Sequence, residues 1–151
     1  MKRLVLGTLL LAGAALPAFA TEVWQGDMFV TAVTSACAAD GLVVNDFFRA
    51  VYKPRNLVDN GVDTKLSLVG PRNAQRYMVA NGPLTGTGNY QATMITSRAN
   101  VDSWNGGFSA ASVLPTPTAT TQTVVVKVTL NTFGDVAGCT VTLKGSLGNR
   151  P

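Results

Sequence analysis

Histidine is absent from all 151 residues, so the commonest general base and the commonest metal ligand of proteins are both missing. What remains with chemical capacity is a set of hydroxyls, carboxylates, two thiols and several cations. Gly107-Phe108-Ser109-Ala110-Ala111 matches half of a nucleophile elbow but lacks its second glycine, and no Ser-x-x-Lys occurs. Two aspartate pairs, Asp40 with Asp46 and Asp59 with Asp63, are close enough in sequence for glycoside hydrolysis, in which one carboxyl protonates the leaving group while the other activates water or attacks. These aspartates stand among Gly and Asn, however, where Asp bonds its own backbone, and a turn role is the expected one. Asp59-Asn60-Gly61-Val62-Asp63 also offers oxygens to calcium, without the later Glu that completes a hand-type loop. Two separated cysteines fall short of a zinc cage. No catalytic residue, metal or cofactor is expected.

The cations are more suggestive. Arg49, Lys53, Arg55, Lys65, Arg72 and Arg76 all fall in the first half of the chain, and Arg49 shares strand parity with Lys53. If segments 42–53 and 64–69 pair as strands, several of these charges meet at one end of a sheet. Such a patch can take a phosphate, a sulfate or the acidic head of an envelope glycolipid. The same charges also serve to keep an edge strand from unwanted pairing.

The compartment follows from the first twenty residues. Lys2 and Arg3 precede an apolar run from Leu4 to Leu16, and Pro17-Ala18-Phe19-Ala20 supplies the small-x-small pattern of a cleavage site. The run is too short to span a hydrocarbon core as a helix, which needs about 20 residues. A cleavable signal over 1–20 is expected, followed by a single domain over 21–151, periplasmic or extracellular, with no transmembrane segment. Loss of Lys2 and Arg3 would leave ten basic residues against eight acidic ones. So even a balance gives no support for nucleic acid as a partner. In an oxidising compartment Cys37 and Cys139 are expected to pair, since neither has the Cys-x-x-Cys spacing or a basic neighbour that marks a redox thiol.

The elements that must position these groups read as strands, because the hydrophobic period is two almost everywhere. Residues 23–37 alternate, with Phe29, Val33 and Cys37 on one parity and Trp24, Met28 and Val30 on the other. Segment 42–53 reads as a strand with a short helix as its competitor. Strands follow at 64–69, 75–80 and 90–97. Residues 103–120, with Asn105-Gly106-Gly107 and Pro115-Thr116-Pro117-Thr118, read as a long connection interrupted by a short strand over 108–113. Segments 123–130 and 138–147 form a hairpin around Gly134-Asp135.

About seven such strands, with turn residues between them, predict an all-β fold: an antiparallel β-sandwich stapled by one disulfide, with a small β-barrel as the alternative. A transmembrane barrel is disfavoured by the few aromatics and the polar ending Asn149-Arg150-Pro151. Taken together, the residues point to an exported protein that binds through its surface, to an envelope component or to itself. The competing expectations are a subunit of a surface filament or coat and, third, a small hydrolase using carboxylates alone.

Overall fold

The computed structural model describes residues 22–54, 63–70, 75–97 and 100–150. The expected signal over 1–20 lies outside them. Eight strands run in sequence order and close on themselves: β1 (Trp24–Val33), β2 (Phe47–Lys53), β3 (Thr64–Val69), β4 (Gln75–Ala80), β5 (Gly86–Ser97), β6 (Asn100–Leu114), β7 (Thr123–Asn131) and β8 (Thr140–Asn149). Every neighbouring pair is antiparallel, including β8 with β1. The all-β, disulfide-stapled expectation holds, and the barrel alternative, not the sandwich, is the architecture. The reason is closure. A sandwich leaves each sheet two edges, whereas here β1 lies against β8 from Trp24↔Asn149 to Val33↔Val141.

Alternation sorts each strand into an inner and an outer row. Trp24, Met28 and Val30 of β1, Phe48, Ala50 and Tyr52 of β2, and Leu66 and Leu68 of β3 face inward. On the far wall Val124, Val126, Val128 and Leu130 of β7 meet Val141, Leu143 and Leu147 of β8, all buried. The ends are sealed from the connections. Phe133, in a short 3₁₀ turn (Phe133–Asp135), enters one end and sets its ring edge-on to Phe48 at 5.9 Å. Leu84, between β4 and β5, is buried at the other.

Closing so small a barrel forces strong curvature, and inward-facing glycines permit it where backbones approach most closely. At the closing seam a Cβ on Gly145 would collide with the Asp27 carbonyl oxygen and with Met28. Between β5 and β6, the ring of Phe108 lies over its cross-strand partner Gly88, and that of Tyr90 over its partner Gly106. In each case a large neighbour fills the space that the missing side chain leaves.

Just beyond the seam, Cys37 and Cys139 are joined, with Cα atoms 4.6 Å apart and a sequence separation of 102. Cys37 does not belong to β1, as the parity reading had it, but to a 3₁₀ helix (Ser35–Asp40) that follows, while Cys139 immediately precedes β8. The Oγ of Thr34 binds the two segments further, donating to the Gly138 carbonyl at 2.8 Å and accepting from the Thr140 N–H at 2.9 Å. On the chain-entropy account, a loop of this length is worth about 4 to 5 kcal/mol when closed.

Two other segments differ from the sequence expectation. β2 begins only at Phe47, because residues 43–46 make a tight turn with Asn45 at φ 75°. β6 is one strand of 15 residues, not a loop with a short insert. Its register with β7 shifts between Phe108 and Ala110, so that the buried parity of Trp104 and Phe108 passes to Val113. The 123–130 and 138–147 hairpin is β7–β8, with Gly134 at φ 66° and Asp135 at φ 61° in its turn.

Replacing Gly145 by Ala should lower the unfolding free energy by about 1 to 3 kcal/mol through overpacking. Gly148→Ala on the same strand should change it little, since nothing lies within 4 Å of a Cβ there. Urea titration of both variants checks the contrast, and equal midpoints would refute this account of the seam.

Candidate binding surface

The barrel interior is packed with largely apolar side chains among the described residues. Its enclosed void, lined by Thr64, Leu66, Met78, Ala80, Leu84, Tyr90, Phe108 and Leu130, measures about 10 Å³. That is at the threshold for one water molecule.

Four of the six candidate cations, Arg49, Lys53, Lys65 and Arg76, lie among the described residues. Arg49 and Lys53 share the exposed outer face of β2, as their parity required. They sit at opposite ends of the β2–β3 ladder, Arg49 opposite Val69 and Lys53 opposite Lys65. Arg49 also faces Asp27 across β1. Lys65 lies over the Tyr77 ring, its Nζ 5.6 Å from the centroid. Arg76 departs altogether: on β4 it alternates inward with Met78 and Ala80 and is only 4% exposed. Its guanidinium is 5.0 Å from the Phe133 ring centroid and 5.8 Å from that of Phe48, a cation–π position inside the barrel. It cannot share a surface with the others. Arg55 and Arg72 lie outside the described residues.

The carboxylates divide similarly. Asp46 Oδ2 accepts the Val43 N–H at 2.9 Å, and Asp63 Oδ1 accepts the Gly82 N–H at 3.0 Å. These are backbone-holding roles at opposite ends of the barrel. Asp59 lies outside the described residues, as does the side chain of Asp40. Ser109 is exposed at the β6 bulge.

Sequence reasoning missed a different outer feature. Register aligns Lys127 of β7, Lys144 of β8, Phe29 of β1 and Phe47 of β2 as consecutive cross-strand partners, all pointing outward. The Phe29 and Phe47 rings are 6.4 Å apart, and both are about half exposed. Val43 and Val44, in the turn leading into β2, are exposed as well. A parity reading alone placed Phe29 opposite Trp24 and Met28; four strands had to be aligned before the row existed.

Comparison with family models, with curated proteins and with solved structures finds no match to this chain.

Two buried phenols give the barrel a pH signature. Burial, with the nearby charge of Glu22 as a smaller contribution, pushes the Tyr52 hydroxyl up from 10.0 to about 12. Burial raises Tyr90 also, partly opposed by the indole of Trp104, although that buried N–H makes no hydrogen bond of acceptable geometry. The Tyr90 hydroxyl itself donates to the Asn131 carbonyl at 2.6 Å. Between 10.0 and about 12 the unfolded chain has lost the Tyr52 proton that the folded chain retains, so stability must fall with rising pH across that window. Tyr52→Phe should flatten the fall, as measured by urea midpoints taken from neutral pH upward. An unchanged pH slope would count against a buried, neutral Tyr52.

Proposed function

We propose that this chain is an exported, non-enzymatic protein that acts by binding an envelope component through the outside of a filled barrel. The observation that carries the reading is the interior itself: largely apolar side chains pack it, and the one void described among them measures about 10 Å³. A barrel packed in this way has no calyx for a small ligand. The lack of histidine and the backbone-holding roles of Asp46 and Asp63 agree with binding in place of turnover. The outer wall reverses the pattern of a membrane-spanning barrel, whose lipid face is an apolar band. Here Gln25, Asp27, Lys127, Thr129, Thr142, Lys144 and Ser146 face outward. No helix among the described residues is long and apolar enough to cross a membrane. Export is supported by the leader pattern over 1–20 and by the disulfide.

One observation favours assembly as a second reading. Residues 100–107 of β6 pair with β5 alone, because the ladder with β7 starts at Phe108↔Leu130. That leaves one strand edge open, to which another strand can add.

Intact-mass analysis of exported protein should give a chain starting at Thr21 with Cys37 and Cys139 joined. Leader still attached, with both thiols free, would remove the export reading. Sedimentation with isolated envelopes should carry the protein down, and Asp63→Asn should leave that binding intact, with Asp46→Asn assayed for turnover alone. A hydrolytic turnover abolished by either substitution would replace binding with catalysis. Light scattering separates the two readings, since a concentration-dependent increase in mass indicates assembly through the open edge.

A further inference from the structure

We infer that the Phe29–Phe47 corner of the barrel is a docking surface for an anionic phospholipid bilayer, an inference that rests on the binding function proposed above and names its partner.

The surface begins with a rigid turn. The Asp46 N–H donates to the Val43 carbonyl at 3.2 Å, and Asp46 Oδ2 accepts the Val43 N–H at 2.9 Å. The turn is tied to β1 by the Asn45 N–H to the Val30 carbonyl at 2.9 Å and by the Val30 N–H to the Asp46 carbonyl at 2.8 Å. So fixed, it exposes Val43 by 59% and Val44 by 48%, beside Phe47 at 57% and Phe29 at 49%. The backbone that carries Val43, Val44 and Phe47 is thus fixed by local bonds while their side chains stand exposed. Exposed apolar residues grouped in this way mark an interaction site, and a pre-ordered display lowers the entropic cost of using it.

The second part is charge. Along the same cross-strand row, Lys144 is the direct partner of Phe29, and Lys127 is the direct partner of Lys144. Like charges directly opposite each other destabilise a sheet. Among the described residues neither lysine makes an ion pair or hydrogen bond, and the nearest acid by register, Asp27, faces Arg49 in the next outward row. The row thus runs from two cations to two aromatic rings at one level of the wall. An anionic interface satisfies both halves at once: rings and valines enter the boundary between headgroups and acyl chains while the ammonium groups meet phosphates.

Chemistry selects lipid over a protein partner. The rings stand exposed on the outside of the barrel wall, in one cross-strand row with two lysines that have no acidic partner among the described residues, the pairing of apolar and cationic groups that an anionic lipid interface takes. A bilayer needs no complementary relief.

The test uses the exported, leader-cleaved protein with sedimentation on two kinds of vesicle, phosphatidylcholine alone and phosphatidylcholine mixed with phosphatidylglycerol. Binding should favour the anionic vesicles and weaken with added salt. Phe47→Ser and Val44→Asp should each reduce it by about tenfold, from the loss of buried apolar area. Lys127→Glu with Lys144→Glu should reduce it by about fivefold per lysine on anionic vesicles only. All four positions are exposed, and unchanged thermal melting should confirm intact barrels. No binding to either vesicle, or binding that all variants share, overturns the inference. So does a dimer that Val44→Asp and Phe47→Ser convert to monomer, because a second copy would then cover the patch. Envelope sedimentation that persists without vesicle binding removes the lipid assignment alone, whereas loss of both removes the wider reading too.

Discussion

The contact between β1 and β8 is the constraint from which the rest of the molecule follows. Eight strands can return to their starting point only if the wall bends sharply, and the bend requires backbone to pass against backbone where a side chain would stand. Gly145 meets that requirement at the seam, opposite Met28, and Gly106 meets it beneath the Tyr90 ring. The disulfide lies beyond the same seam, joining the segment that leaves β1 to the one that enters β8. Closure and covalent latch act at one place, so the latch limits opening of the seam from that end.

Curvature of this degree leaves a narrow interior, and large side chains fill it. Trp24, Phe48, Phe133, Met28 and a layer of leucines and valines occupy the space that a wider barrel would give to a ligand. Even the inward arginine is absorbed, since Arg76 lies over two aromatic rings. The consequence for function is direct. With its inside largely given over to packing, the barrel carries its exposed groupings on the outer wall.

On that wall, register creates groupings that no single strand contains. Lys53 meets Lys65, Lys127 meets Lys144, and Phe29 meets Phe47, each pair from different parts of the chain. The pleat that sends Arg76 inward among apolar groups sends Phe29 outward among lysines. Both depart from the simple rule of apolar inside and charged outside, and they do so for different reasons. Arg76 finds ring faces within the core, while Phe29 and Phe47 lie 6.4 Å from each other with about half of each still exposed.

The amino-acid sequence by itself determined the strand class, the spans of β3 and β4, the β7–β8 hairpin and the cysteine pairing. Each depends on local features: a period of two, turn residues between segments, and only two thiols to pair. It also separated Phe29 from Trp24, Met28 and Val30, because parity is local. Tertiary structure alone decided that β1 reaches β8, since closure depends on curvature summed over all strands. It decided that β6 is continuous, because a bulge resets parity and looks in sequence like an interruption. It turned Arg76 inward, away from Arg49, Lys53 and Lys65, and assembled the lysine–phenylalanine row, for the position of one strand beside another is set by long-range register, which no stretch of sequence carries.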